Sequence, residues 1–186
     1  MSNPEIILST LDRHLRHPAE LTLYGRAALM LGFSNPRPEH ATTKDVDAIL
    51  PLAQIEVLRA ESWFWDAQEA TNEELRPRGL YITHIFSEAD VFLRPDWLAQ
   101  RVRISGDFAK LTLYRPATVD LILTKMMRDD PSDLADIEFL LAREPISLAQ
   151  LEVALKAVRL PELEEYRYIL DRVRPKVLAL FGRQAK

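Results

Sequence analysis

Every strand-like segment of this chain lies before Pro116, and everything beyond it falls on helical spacing. Leu21-Thr22-Leu23-Tyr24 alternates, Asp45-Val46-Asp47-Ala48-Ile49-Leu50 alternates and then turns apolar, Leu80 to Phe86 is β-branched and aromatic, and Leu111-Thr112-Leu113-Tyr114 alternates again. Asp90 to Leu93 reads as one more short strand. After Pro116, Val119, Ile122, Leu123, Met126 and Met127 form a helical stripe, continued by Leu134, Ile137, Leu140 and Leu141 and then by Leu151, Ala154, Leu155 and Val158. A last helix follows Pro161, with Pro175 expected to kink it and Gly182 to end it. The division predicts an α+β fold: a small mixed sheet with flanking helices, then a helical C-terminal third.

Helices are also expected among the strands. Asn3 reads as the N-cap of a first helix with Pro4 behind it and Ile7, Leu8, Leu11 and Leu15 on one face. Short helices are expected over 26–31 and 95–102, and a long one from Ala53 to Arg76 whose Trp63, Phe64 and Trp65 belong to the core. The C-terminal stripes need an apolar partner, and the open face of the sheet supplies one. Residues 1–115 and 116–186 are therefore expected to form one compact unit with a single calorimetric transition.

Composition narrows the chemistry. With 47% apolar and 28% charged residues, 186 residues suffice for a core without staples, and the lack of cysteine removes disulfides, thiolate zinc sites and cysteine nucleophiles. No apolar run reaches the ~18 residues of a membrane span, and Met1-Ser2-Asn3-Pro4-Glu5 lacks the shape of a signal peptide, so a cytoplasmic protein is expected. A net charge of −4 disfavours indiscriminate nucleic-acid binding. Arg167, Arg172, Arg174, Lys176, Arg183 and Lys186 form a local basic patch against one acid, Asp171, and read first as a solvated helix face.

The most informative residues are Asp45 and Asp47. Two residues apart on a strand, they share a face with side chains starting ~6.5–7 Å apart. Like charges there repel unless a cation lies between them, and Mg²⁺ takes hard oxygen ligands of this kind. Upstream, the strand ending at Tyr24 runs through Gly25 into a helix, a turn whose exposed N–H groups can receive a phosphate, with Arg26 to add charge.

In this order the motifs resemble the nucleotidyltransferase superfamily, specifically its minimal, toxin-type branch with the abortive-infection enzymes of type IV toxin–antitoxin systems. The resemblance spans about residues 20–142 and rests on Leu23-Tyr24-Gly25-Arg26-Ala27-Ala28-Leu29, Thr43-Lys44-Asp45-Val46-Asp47, Thr118 to Lys125, and Arg128-Asp129-Asp130-Pro131-Ser132-Asp133-Leu134-Ala135-Asp136-Ile137. It implies that Asp45 and Asp47 hold Mg²⁺ or Mn²⁺, that Gly25, Arg26, Thr43 and Lys44 surround the triphosphate, and that Lys125, off its apolar stripe, reaches the nucleotide. Asp133 and Asp136 are further candidates, although Asp130-Pro131-Ser132-Asp133 also looks like a helix start.

A third carboxylate is expected on the next strand, where His84 stands, with Glu88 and Asp90 just beyond. Strict alternation places Leu80, Ile82, His84 and Phe86 on the greasier face, which predicts a buried His84 and leaves Glu88 or Asp90 to complete a metal site. Turned to the aspartates instead, the His84 imidazole would itself be a metal ligand, one that favours Mn²⁺ or Zn²⁺ over Mg²⁺. The implied activity is transfer of a nucleotide from an NTP to an RNA or protein acceptor, with an antitoxin as partner protein. The alternative is a degenerate fold of the same kind that binds nucleotide or protein without turnover.

Overall fold

The computed structural model describes residues 1–184 and is α+β, with a five-stranded mixed sheet and nine α-helices among the described residues. The chain forms two compact units, residues 1–87 with 101–115 and residues 88–100 with 116–186.

The first unit holds the whole sheet. Helix α1 (Asn3–His14) is capped by Ser2, one residue before the expected cap, in a reciprocal box with Glu5. Strand β1 (Ala19–Tyr24) leads into α2 (Gly25–Gly32) and the short α3 (Pro38–Ala41). Next come β2 (Asp45–Leu50), α4 (Leu52–Ala60), α5 (Trp63–Leu75) and β3 (Tyr81–Ser87). Strands β4 (Val102–Ile104) and β5 (Leu111–Arg115) complete the sheet. The order is β3-β2-β1-β5-β4, with β1 antiparallel to β2, β2 parallel to β3, β1 parallel to β5, and β4 antiparallel to β5.

Register divides the sheet into two chemically different faces. Leu21, Leu23, Val46, Ala48, Ile82, Leu111 and Leu113 fall on one face and are buried, while Tyr24, Asp45 and Asp47 fall on the other. Helices α1, α2 and α5 pack on the sheet with Ile7, Leu8, Leu11, Ala28, Leu29 and Phe64 fully enclosed. The outer strand β3 is closed by α5. Asn72 donates to the carbonyl of Ile82 (3.0 Å) and accepts its N–H (2.7 Å), as a neighbouring strand would. At the far side of the unit, Asp12 receives the N–H groups of Ala109, Lys110 and Leu111 at 2.7–2.9 Å. Burial pushes its carboxyl up, but those three donors and Lys110 outweigh it and hold the pKa below the ordinary value.

Three expectations are corrected here. The single helix over 53–76 is two, broken at Glu61-Ser62, with Phe64 buried and its two tryptophan neighbours half-buried. The short helix over 95–102 is a run of turns, and Val102 instead opens β4. The strand over 90–93 is absent: Asp90 ends a 3-10 turn, and Leu93 makes a single bridge to Arg159.

Gly32 is fixed by a close approach. A Cβ there would stand 2.4 Å from Cδ of the buried Arg115, whose Nε donates to the Gly32 carbonyl (3.1 Å) and whose guanidinium lies over Phe33. Because Arg115 is held by both contacts, Gly32→Ala is expected to destabilise by about 1–3 kcal/mol, as overpacking does. Urea denaturation checks this, with a lower midpoint at unchanged slope expected.

The second unit contains α6 (Thr118–Lys125), α7 (Pro131–Arg143), α8 (Leu148–Ala157) and α9 (Glu164–Gln184), together with residues 88–100. Its core takes Phe92, Trp97, Leu121, Ile122, Met126, Ile137, Leu140, Leu151, Val173 and Val177. Buried Asp120 accepts the Arg94 backbone N–H and a two-pronged guanidinium contact, which pins residues 88–100 to α6. Asp129, before α7, pairs with Arg172 and Lys176 of α9. Two of the six bases of the expected solvated face thus pair with Asp129 while staying exposed, as Arg167 and Arg174 are. Lys186 and the side chain of Arg183 lie outside the described residues. Helix α9 continues through both Pro175 and Gly182, so Gly182 does not end it. No helix among the described residues is long and apolar enough to cross a membrane.

Candidate functional site

The expected carboxylate pair sits at the start of β2, and both neighbouring strands present polar or small groups to it. On the β1 side, Tyr24 is the register partner of Asp47 and is followed by Gly25. Gly25 has φ +65°, a conformation that favours glycine, and a Cβ built there would lie 3.6 Å from Asp47 Oδ2. The turn therefore brings bare backbone alongside a carboxylate oxygen. No side chain caps the start of α2 at Tyr24, so its first N–H groups are of the kind that receive anions. Arg26 is half-buried at the same turn, and Lys44 is exposed beside Asp45.

On the β3 side the register slips. Val46 pairs with Ile82 but Ala48 pairs with Ile85, so Asp47 alone faces both Thr83 and His84. This bulge corrects the expected parity. Tyr81, Thr83, His84 and Phe86 all lie on the face of the two aspartates, and His84 is 64% exposed rather than buried. Thr83 donates to Asp47 Oδ1 at 2.9 Å, and His84 Nδ1 stands 3.5 Å from the same oxygen, long for a hydrogen bond. Thr43 donates to Asp45 Oδ1 at 2.7 Å. Each aspartate thus has one oxygen fixed by a threonine hydroxyl. No sequence pattern announces the Thr83 contact, because it exists only through the bulge.

Electrostatics disfavour the charged form of Asp47. Burial pushes the Asp47 carboxyl above the ordinary 3.8; the Thr83 hydrogen bond opposes this, Asp45 adds repulsion, and His84 offsets part of it.

The other candidates lie in the helical unit. Glu88 accepts from the Trp97 indole at 2.8 Å, and Asp90 is its neighbour in the 3-10 turn 88–90. Lys125, expected off its apolar stripe, is only 6% exposed, and its Nζ donates to Asp133 (3.0 Å) and Asp136 (2.7 Å). Arg128 adds two bonds of 3.0 Å to Asp133. Asp130 caps α7 through the Ser132 N–H, as its helix-start pattern suggested. The structure therefore brings together Gly25, Arg26, Thr43, Lys44, Asp45, Asp47 and His84 in the sheet unit, and Lys125, Asp133 and Asp136 in a separate buried ion cluster. Among the described residues, no three His, Asp or Glu side chains gather as a ready-made metal centre.

Comparison with known proteins adds one finding. A family model described as "Nucleotidyltransferase of unknown function (DUF6036)" matches residues 7–173. No curated protein and no solved structure matches the chain.

Proposed function

Since the chain belongs to this family of nucleotidyltransferases of unknown function, we propose that it moves a nucleotide from an NTP to an RNA or protein acceptor, with Asp45 and Asp47 holding Mg²⁺ or Mn²⁺. The observation that carries the reading is the approach of the Gly25 turn to within 3.6 Å, measured from a built Cβ, of Asp47 Oδ2. Phosphate cradle and metal-type ligand stand side by side.

The donors fit such a cation by type. Mg²⁺ commonly takes one or two carboxylates and leaves its other positions to water and substrate phosphates, and this face offers two carboxylates whose mutual repulsion a cation would relieve. When bound, it would neutralise triphosphate charge and lower the pKa of the acceptor hydroxyl. The chain's own groups do the rest. Thr43 and Thr83 keep one oxygen of each aspartate turned to a fixed side. Gly25 leaves room for a phosphate at the backbone, and the first N–H groups of α2 with Arg26 and Lys44 complement its charge. The acceptor hydroxyl, giving its proton to water, attacks the α-phosphorus in line, the bond to the β-phosphate breaks, and pyrophosphate leaves. Lys125, Asp133 and Asp136 belong in this reading to the architecture of the helical unit. The finer assignment, to a toxin with a cognate antitoxin, rests on the order of the sequence motifs.

A second reading is favoured by the residues opposite Asp47, which are Thr83 and His84 rather than a carboxylate. In it the site binds nucleotide without turnover. Incubation with each labelled NTP, total RNA and Mg²⁺ or Mn²⁺ separates the two. The first reading expects label on RNA or protein, erased by Asp45→Ala. If no NTP gives label while an NTP still raises the melting temperature only with metal, the second reading stands. A shift that survives EDTA and Asp47→Asn overturns the metal site in both.

A further inference from the structure

The bulge that brings His84 to Asp47 also assembles a line of rings. The His84 imidazole stacks on Phe86 with centroids 5.2 Å apart and planes 27° from parallel. Phe86 meets Tyr24 edge-on at 5.4 Å, and Tyr24 is the register partner of Asp47. Tyr81, 38% exposed, belongs to the same face of β3. Thr83 holds Asp47 beside these rings. One ring of the line, His84, is mostly solvent-exposed although its other side is supported by Phe86.

We propose that His84, backed by Phe86, is the stacking platform for the base of the incoming NTP. The proposal rests on the nucleotide-transfer reading of Asp45 and Asp47. Three facts select this occupant. The Gly25 turn, which directly follows β1, and His84, on β3, lie on opposite sides of Asp47, and β1 and β3 are two strand spacings apart, ~10 Å. The β1 side is suited to anions, and the β3 side to a flat π-system. A nucleoside triphosphate is the ligand that carries both ends, joined through the phosphate that must lie at Asp47. Imidazole and phenyl rings stack every base through its π-face, so the platform is sequence-tolerant. A ring already stacked from behind loses little freedom on binding.

The test compares each NTP with inorganic tripolyphosphate by calorimetric titration in the presence of Mn²⁺, on the wild type, His84→Ala and His84→Phe. Stacking on one ring is expected to make an NTP bind about 10-fold tighter than tripolyphosphate. His84→Ala should remove that difference without changing tripolyphosphate affinity, and His84→Phe should restore it. Because His84 is exposed, the variants are expected to fold, and their melting temperatures check this. Equal affinity of NTP and tripolyphosphate in the wild type, or a difference that survives His84→Ala, overturns the platform while leaving the metal and phosphate reading intact. NTP binding with no tripolyphosphate binding removes the phosphate reading and, with it, the platform for an NTP donor. A protein that binds neither overturns both. A single-stranded oligonucleotide that binds through His84 while NTPs do not overturns the NTP as occupant.

Discussion

Asp47→Asn is expected to abolish nucleotide transfer, by at least about 10²–10³-fold, the scale on which loss of one charge-stabilising group at a reacting centre is felt. The same change is expected to leave the metal-free protein as stable as the wild type or more so. Burial and Asp45 hold the Asp47 carboxyl above its ordinary 3.8, so the folded state favours the protonated form more than the unfolded chain does. The fold consequently loses stability as pH rises from the ordinary carboxylate value through the raised one, and above that window the full penalty applies. Asparagine keeps an oxygen for the Thr83 hydroxyl and carries no charge. Melting curves without metal should place Asp47→Asn at or above the wild type at pH 7, with the gap closing below pH 3.8. A variant that melts well below the wild type at pH 7 would mean that the carboxylate is a structural anchor and not a ligand waiting for a cation.

Lys125→Met is expected to have the largest effect on stability. It removes the ammonium that bonds the nearly inaccessible carboxylates of Asp133 and Asp136. Removing one member of a buried ion cluster costs about 3–5 kcal/mol, because a charge stays buried without its partner. Asp136→Asn in the same background should recover part of the loss, a coupling that a double-mutant cycle in urea measures. A loss below about 1 kcal/mol, the range of surface pairs, would show that the cluster is solvated and that Lys125 has other work.

The contrast between these two sites explains what could be read in advance. The positions of Asp45, Asp47 and Gly25 are legible because strand alternation and a strand-ending glycine are local properties: both aspartates lie on one face of β2, and Gly25 follows Tyr24, the register partner of Asp47. His84 was misplaced because alternation holds only while the ladder is regular. Nothing in Tyr81-Ile82-Thr83-His84-Ile85 announces that Asp47 faces two residues, although two consecutive exposed positions record it in the structure. Strand β4 carries no readable alternation because it is three residues long, with Val102 and Arg103 exposed. Lys125 reads as a solvated lysine on any helical wheel. Its partners stand 8 and 11 residues further on, on the next helix, and only tertiary packing joins them.

The path of the chain has a consequence for its synthesis. Residues 88–100 are made before β4 and β5, so they leave the ribosome while the sheet still lacks two of its strands. Yet their own partners come later. Arg94 waits for Asp120, Leu93 for Arg159, and Phe92 for Tyr166 on the last helix. A growing chain therefore carries Phe92, one of the most deeply enclosed side chains of the folded protein, without its Tyr166 contact until α9 has been made. In that interval the nascent segment exposes apolar surface that is prone to aggregate, and the helical unit cannot lock until α9 is made.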